Sequence, residues 1–178
     1  MTQRYKLLIE MVRERKPKSI LEVGTWNGDR AAQMLHASPG AKYYGFDLFE
    51  DANQVTDMIE MNVKPHFSVG YVTDRLSGFD VHLVKGNTRE TLAAFSTPVD
   101  FVWLDGGHSV DTIRSDWENV KRCCSKDTVV VFDDYYMGAI DTDLFGCNKI
   151  VTELNHTVLR PADPVAGGGW VLMAQVFP

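Results

Sequence analysis

Three groups of residues in this chain have types and spacings suited to chemistry. The first is Glu22-x-Gly24-x-x-x-Gly28, which follows the run Ser19-Ile20-Leu21; Asp47 closes the next apolar run, Tyr43-Tyr44-Gly45-Phe46. Glycines let backbone approach a ligand closely, and a carboxylate at a neighbouring strand tip can take two ribose hydroxyl protons. The layout is that of a pocket for an adenosine-bearing cofactor. The turn is not Gly-x-Gly-x-x-Gly, and Trp26 stands where a pyrophosphate would want bare amides, so a dinucleotide is the poorer candidate. Glu22 sits inside an apolar strand and must accept hydrogen bonds there, from nearby amides as a structural cap or from the ligand.

The second group is Leu104-Asp105-Gly106-Gly107-His108-Ser109, and the third is Phe132-Asp133-Asp134-Tyr135-Tyr136. In the second, glycines free the backbone after an apolar run and hold an acid and a histidine three residues apart. In the third, adjacent carboxylates repel unless a cation or a proton resolves the conflict. Together with Asp105 they could converge on one hard divalent ion that keeps positions open for water and substrate. The competing reading makes Asp133 a cap for the following loop and leaves Asp134 solvated.

These groups need elements to hold them. Leu7, Leu8, Met11 and Val12 recur at helical spacing, so Thr2 to Arg15 is expected as an amphipathic helix ended by Pro17. Strands are expected at Ser19–Val23, Lys42–Asp47, Val81–Val84, Val99–Leu104 and Thr128–Phe132. Helices are expected at Asp29–His36, around Val69 to Phe79, at Thr88–Phe95 behind an Asn87 or Thr88 cap, and at Ser109–Arg122. A short piece around Gln54 to Asn62 is less legible. After the fifth strand come a loop, a helix over Phe145 to Asn155, and closing strands His156–Leu159 and Trp170–Phe177 joined through Gly167-Gly168-Gly169. Apolar strands alternating with helices mean a parallel sheet covered on both faces, with ligands beyond the carboxyl ends of the strands. Glu22, Asp47, Asn87, Asp105 and the Asp133–Asp134 pair all fall at those ends.

At 178 residues the chain is expected to form a single domain over 1–178. A net charge of −6 gives no electrostatic footprint for a phosphate backbone, so nucleic acid is disfavoured as a partner. No apolar stretch is long enough to span a bilayer, and Met1 to Lys18 has no signal-peptide core. Cys123, Cys124 and Cys147 form no Cys-x-x-Cys pair, and the odd count suits a reducing compartment, so the cytoplasm is expected.

In order and spacing, Glu22-x-Gly24-x-x-x-Gly28, Asp47, Gly86-Asn87-Thr88, Asp105-Gly106-Gly107-His108 and Asp133-Asp134-Tyr135 resemble class I S-adenosylmethionine-dependent methyltransferases. They are most similar to the small-molecule branch, methyltransferase domain family 24, from about Lys18 to Tyr136. The resemblance implies a Rossmann-like, doubly wound α/β fold with a mostly parallel seven-stranded sheet of order 3-2-1-4-5-7-6, strand 7 antiparallel and helices on both faces. It implies that Glu22, Gly24, Thr25, Trp26, Gly28, Asp47, Leu48, Gly86, Asn87, Thr88 and Asp105 border S-adenosylmethionine. It further implies that Asp105, Asp133 and Asp134 hold Mg2+, and that His108 and Asp105 serve catalysis on a hydroxyl of a small-molecule acceptor, a sugar among the candidates. Trp26 departs from the pattern by occupying the place of the middle glycine. A homodimer is the assembly allowed for, and neither nucleic acid nor membrane is an expected partner. Rival readings are a nicotinamide-dependent oxidoreductase, which wants the denser glycine fingerprint; a nucleic-acid methyltransferase, opposed by the acidic balance; and a cofactor-binding domain without activity.

Overall fold

The computed structural model describes residues 2–138 and 145–178. Strands β1 (Ser19–Val23), β2 (Lys42–Asp47), β3 (Val81–Lys85), β4 (Phe101–Leu104), β5 (Val129–Gly138), β6 (His156–Val165) and β7 (Gly169–Val176) form one seven-stranded sheet in the order β3-β2-β1-β4-β5-β7-β6. The first five run parallel and β7 is antiparallel to both its neighbours, as the resemblance implied.

Alternation along the strands divides the apolar residues between two cores. On one face Ile20, Tyr43, Phe101, Trp103 and Val131 pack under α1 (Gln3–Arg15), α2 (Asp29–Ala37) and α4 (Val69–Arg75) through Leu8, Val12, Met34, Leu35 and Val72. On the other, Leu21, Val23, Phe46, Val102, Leu104 and Phe132 meet α6 (Val110–Val120) and α7 (Gly146–Val151) through Trp117, Val120, Ile150 and Val151. With both faces covered, the polar backbone ends of the parallel strands are left at one rim, where loops can gather chemistry.

Several elements differ from the sequence expectation; α7, expected over Phe145 to Asn155, spans only Gly146–Val151. Helix α5 is a single turn, Thr88–Thr91, and stops short of Phe95, whose ring turns inward against Tyr44 and Phe46; tertiary packing overrides the helical pattern. Strand β5 continues past Phe132 to Gly138 because β7 pairs with it antiparallel, so Asp133 and Asp134 lie within a strand and not beyond its end. Strand β6 likewise runs on to Val165. The piece around Gln54 is a helix, α3 (Gln54–Glu60), opened by a reciprocal capping box between Asn53 and Thr56, and it buries none of its residues. The loop expected after the fifth strand falls largely on 139–144, outside the described residues.

Gly24 has φ +90°, and a Cβ there would lie 2.0 Å from the carbonyl oxygen of Asp105. It allows the turns after β1 and β4 to touch. Gly24→Ala is therefore expected to destabilise the fold by about 3 kcal/mol in denaturant unfolding. A loss below about 0.5 kcal/mol would show that the two turns need not meet this closely.

Candidate active site

At the carboxyl ends of β4 and β5 lies a small hollow bordered by Asp105, Gly107, His108, Asp116, Asp133 and Asp134. Its volume, about 20 Å³, is room for a single water. A regular pleat would send Asp133 and Asp134 to opposite faces of the sheet. The pairing of β5 with β7 shifts register between Phe132 and Tyr135, and Asp134 takes φ +60°, so a bulge turns both carboxylates toward the same hollow.

Two of the three expected magnesium ligands, Asp133 and Asp134, are paired within the chain. Arg4, from the first turn of α1, donates from Nε to Asp133 Oδ1 at 2.8 Å, and its Nη2 lies 3.6 Å from Asp134 Oδ1. Asp163 of β6 lies 3.7 Å from Arg4 Nη1 and also accepts the Gln3 and Arg4 backbone amides, pinning the start of the helix. Among the described residues no group of three or more His, Cys, Asp or Glu is arranged to hold a metal ion. The Arg4 guanidinium thus faces Asp133, Asp134 and Asp163. Burial and the nearby Asp134 and Asp105 push Asp133 up to about 8, with Arg4 pulling the other way. Burial also pushes Asp105 up, to about 6.

His108 spans two acceptors: Nε2 is 2.9 Å from Asp134 Oδ2, and Nδ1 is 2.6 Å from the Glu60 carbonyl oxygen. A carbonyl only accepts, so Nδ1 carries hydrogen; the carboxylate favours a proton on Nε2 as well. Burial alone would lower the imidazole pKa, but Asp134 and the Glu60 carbonyl raise it to about 9. The same partner, with Arg4, holds Asp134 below the usual carboxylate range against the effect of burial. In this arrangement His108 is an imidazolium with no lone pair to offer.

Glu60, the last residue of α3, does more than hold the ring. Its carboxylate accepts from Ser109 N at 2.9 Å, Ser109 Oγ at 3.1 Å and Thr112 Oγ1 at 2.6 Å, capping the start of α6 from another element. Lys64 and Phe67, further along the same connection, pack on the Trp26 ring, and Trp26 Nε1 donates to the Pro65 carbonyl at 2.8 Å. The segment from Gln54 to Phe67 thus lies as a strap between the β1 turn and the β4 turn.

The expected cofactor residues divide into those on the rim and those beneath it. Asp47 Oδ2 accepts the Trp26 amide at 2.7 Å and Oδ1 the Phe49 amide at 2.7 Å, which fixes the carboxylate at the tip of β2. Trp26 has φ +49°, the left-handed conformation a glycine adopts without strain, and its ring turns to the strap. Gly28, at φ +79°, opens α2 against the side chains of Val72, Arg75 and Leu76. Leu48 starts the turn after β2; Gly86 donates its amide to the Asp47 carbonyl at 2.9 Å, and Asn87 caps α5 ahead of Thr88 by accepting from Arg89 N. Glu22 and Thr25, in contrast, are buried. Tyr43 donates its hydroxyl to Glu22 Oε2 and lies 3.2 Å from Thr25 Oγ1, and burial pushes Glu22 up to about 8. The cap for Glu22 is a tyrosine side chain, not a backbone amide.

Arg4, Glu60 and Asp163 are absent from the sequence reading, and Tyr43 enters it only as part of an apolar run. Burial of Glu22 demanded a partner, and Tyr43 on the paired strand was the nearest hydroxyl able to serve. Arg4 and Glu60 had no such signal: one is a charge on an amphipathic helix, the other ends a segment with no apolar period.

The sequence matches the family profile of a methyltransferase domain, family 24, over residues 21–135. Among solved structures the fold is similar to the O-methyltransferase TomG from Streptomyces achromogenes, involved in tomaymycin synthesis and solved with SAM. The TM-score is 0.67 at 16% identity, covering 99% of this chain and 80% of that one. It is also similar to the O-methyltransferase from Bacillus cereus in complex with SAH, with TM-score 0.69, 13% identity and coverage of 100% and 82%. An rRNA methylase from Streptococcus thermophilus aligns with TM-score 0.67, 14% identity and coverage of 100% and 99%. No curated protein sequence matches the chain. The profile spans well over half of the sequence and includes the Gly24–Gly28 turn, Asp47, Asp105, His108 and the Asp133–Asp134 bulge, so the chain belongs to methyltransferase domain family 24.

Proposed function

We propose that this domain binds S-adenosylmethionine along the Gly24–Gly28 turn and the tip of β2, and transfers its methyl group to a hydroxyl of a small molecule, a sugar being one candidate. The observation that carries the reading is the Asp47 carboxylate: each oxygen accepts one backbone amide, leaving a lone pair on each for a ribose hydroxyl. Because Asp133 and Asp134 are engaged by Arg4 and His108, no step is routed through a divalent ion.

The cofactor, when bound, supplies a methyl carbon already activated by its sulfonium. With the cofactor bound, an acceptor hydroxyl that takes the methyl group would lose its proton, and the chain must offer a group to receive it. His108 is the group placed to receive it, but only after giving up the proton it holds between Glu60 and Asp134. Withdrawal of the strap would remove the Glu60 carbonyl, uncover the rim and lower the basicity of the ring. One movement would admit the acceptor and prepare the base. The cytoplasm is the compartment this reading assigns, in keeping with three free cysteines; no helix among the described residues is long and apolar enough to cross a membrane.

A second reading is an RNA acceptor, favoured by the near-complete coverage of the rRNA methylase chain and opposed by the net charge of −6. Incubation with radiolabelled S-adenosylmethionine separates the two: label in hydroxylated small molecules supports the first, and label in purified rRNA replaces it with the second.

Asp47→Ala is expected to weaken S-adenosylhomocysteine binding by at least about 1 kcal/mol, because a charged double acceptor is lost. An unchanged calorimetric affinity would remove Asp47 from the cofactor site. The His108 pKa in the folded chain, about 9, lies above its ordinary value of 6.5. The stabilisation from this pairing should therefore be complete below about 6.5 and vanish as pH rises through about 9. Asp134→Asn should lower the imidazole pKa seen by NMR and flatten that part of the stability profile. A ring that titrates identically in the two proteins would refute the pairing.

A further inference from the structure

Two of the three carboxylates expected to hold a metal, Asp133 and Asp134, are paired with a cation from within the chain. Arg4 reaches three carboxylates on two strands, Asp133 and Asp134 of β5 and Asp163 of β6, at 2.8, 3.6 and 3.7 Å. Its side chain is 13% exposed and that of Asp133 only 1%, so the contact is sheltered from solvent. The guanidinium is held in place by more than its charge. Asp163 accepts the Gln3 and Arg4 amides, Arg4 Nη2 donates to the Tyr5 hydroxyl at 3.0 Å, and its Cζ lies 4.5 Å from the Tyr5 ring centroid. Tyr5 itself packs edge-on against Trp103 of β4. His108 takes the remaining oxygen of Asp134.

We infer that Arg4 replaces a divalent cation at this rim, so that the domain orders its active-site carboxylates with an internal guanidinium and needs no metal. The inference rests on the methyl-transfer reading only for its consequence in catalysis. Electrostatically, a guanidinium fork satisfies paired carboxylates as a dication would, and it repels a dication brought to the same oxygens. Structurally, it converts a site that would depend on bound ion into a contact between α1 and the end of the sheet. Arg4 is in this sense a positioning residue. It neutralises Asp133 and leaves Asp134 free to orient His108.

Mn2+ binding, followed by electron paramagnetic resonance without cofactor or acceptor, tests the inference directly. The wild-type chain is expected to bind Mn2+ at least tenfold more weakly than Arg4→Met, in which Asp133 loses its cation and Asp134 keeps only His108. The melting temperature of Arg4→Met should rise with Mn2+ concentration, while that of the wild type stays constant. Arg4→Lys, which keeps the charge, should resemble the wild type and serves if Arg4→Met does not fold. One tightly bound Mn2+ per wild-type chain, lost in Asp133→Asn, would overturn the inference. So would equal Mn2+ affinity in the wild type and Arg4→Met. Where methyl transfer is measurable, it should survive chelator unchanged. A failure of methyl transfer itself leaves the Mn2+ result readable, so the two ideas fall separately.

Discussion

The ion pair between Arg4 and Asp133 joins the first helix to the fifth strand at the place where the sheet presents its chemistry. Desolvating two such groups is unfavourable, and their attraction compensates only because the geometry is close; removing either partner of a buried pair costs about 3–5 kcal/mol. The arrangement therefore constrains more than it stabilises. It fixes how α1 lies on the sheet, and it holds Asp133 against a bulge that carries Asp134 at φ +60°. Asp134, so placed, meets His108.

The strap over the rim works by the opposite logic. Helix α3 buries no residue, so little apolar packing holds it down. The ties of the strap are mostly polar: Glu60 on the start of α6, the Glu60 carbonyl on His108, and Lys64 and Pro65 on Trp26, with Phe67 adding an apolar contact to the same ring. Such contacts exchange readily for water, unlike the two apolar cores beneath. A rigid sheet and a weakly held cover meet at His108, which fits a site that must be closed to water during reaction and open for exchange.

Much of the scaffold was legible along the chain, because parallel strands buried on both faces read as short apolar runs and the helices between them carry a clear period. The limits of α1, β1 and β2 follow almost residue for residue. The failures share a cause. The expected end of β5 at Phe132 was wrong because a strand's length depends on its partner, and β7 lies some forty residues on. The expected helix through Phe95 was wrong because that ring finds Tyr44 and Phe46. The pairing of Asp133 and Asp134 with Arg4 was not legible, because an ion pair has no periodicity and nothing near Arg4 in sequence announces its partner.

By itself, the order of residues determined the sheet, its active rim and the row of acids along that rim, since those follow from local patterns of apolarity, glycine and strand-end polarity repeated down the chain. Only the tertiary structure decided which acids are charged, which are neutralised and by what. Electrostatic pairing and hydrogen bonding act over a few ångströms of space, and folding brings within that range residues as far apart as Arg4 and Asp133, or Glu60 and His108.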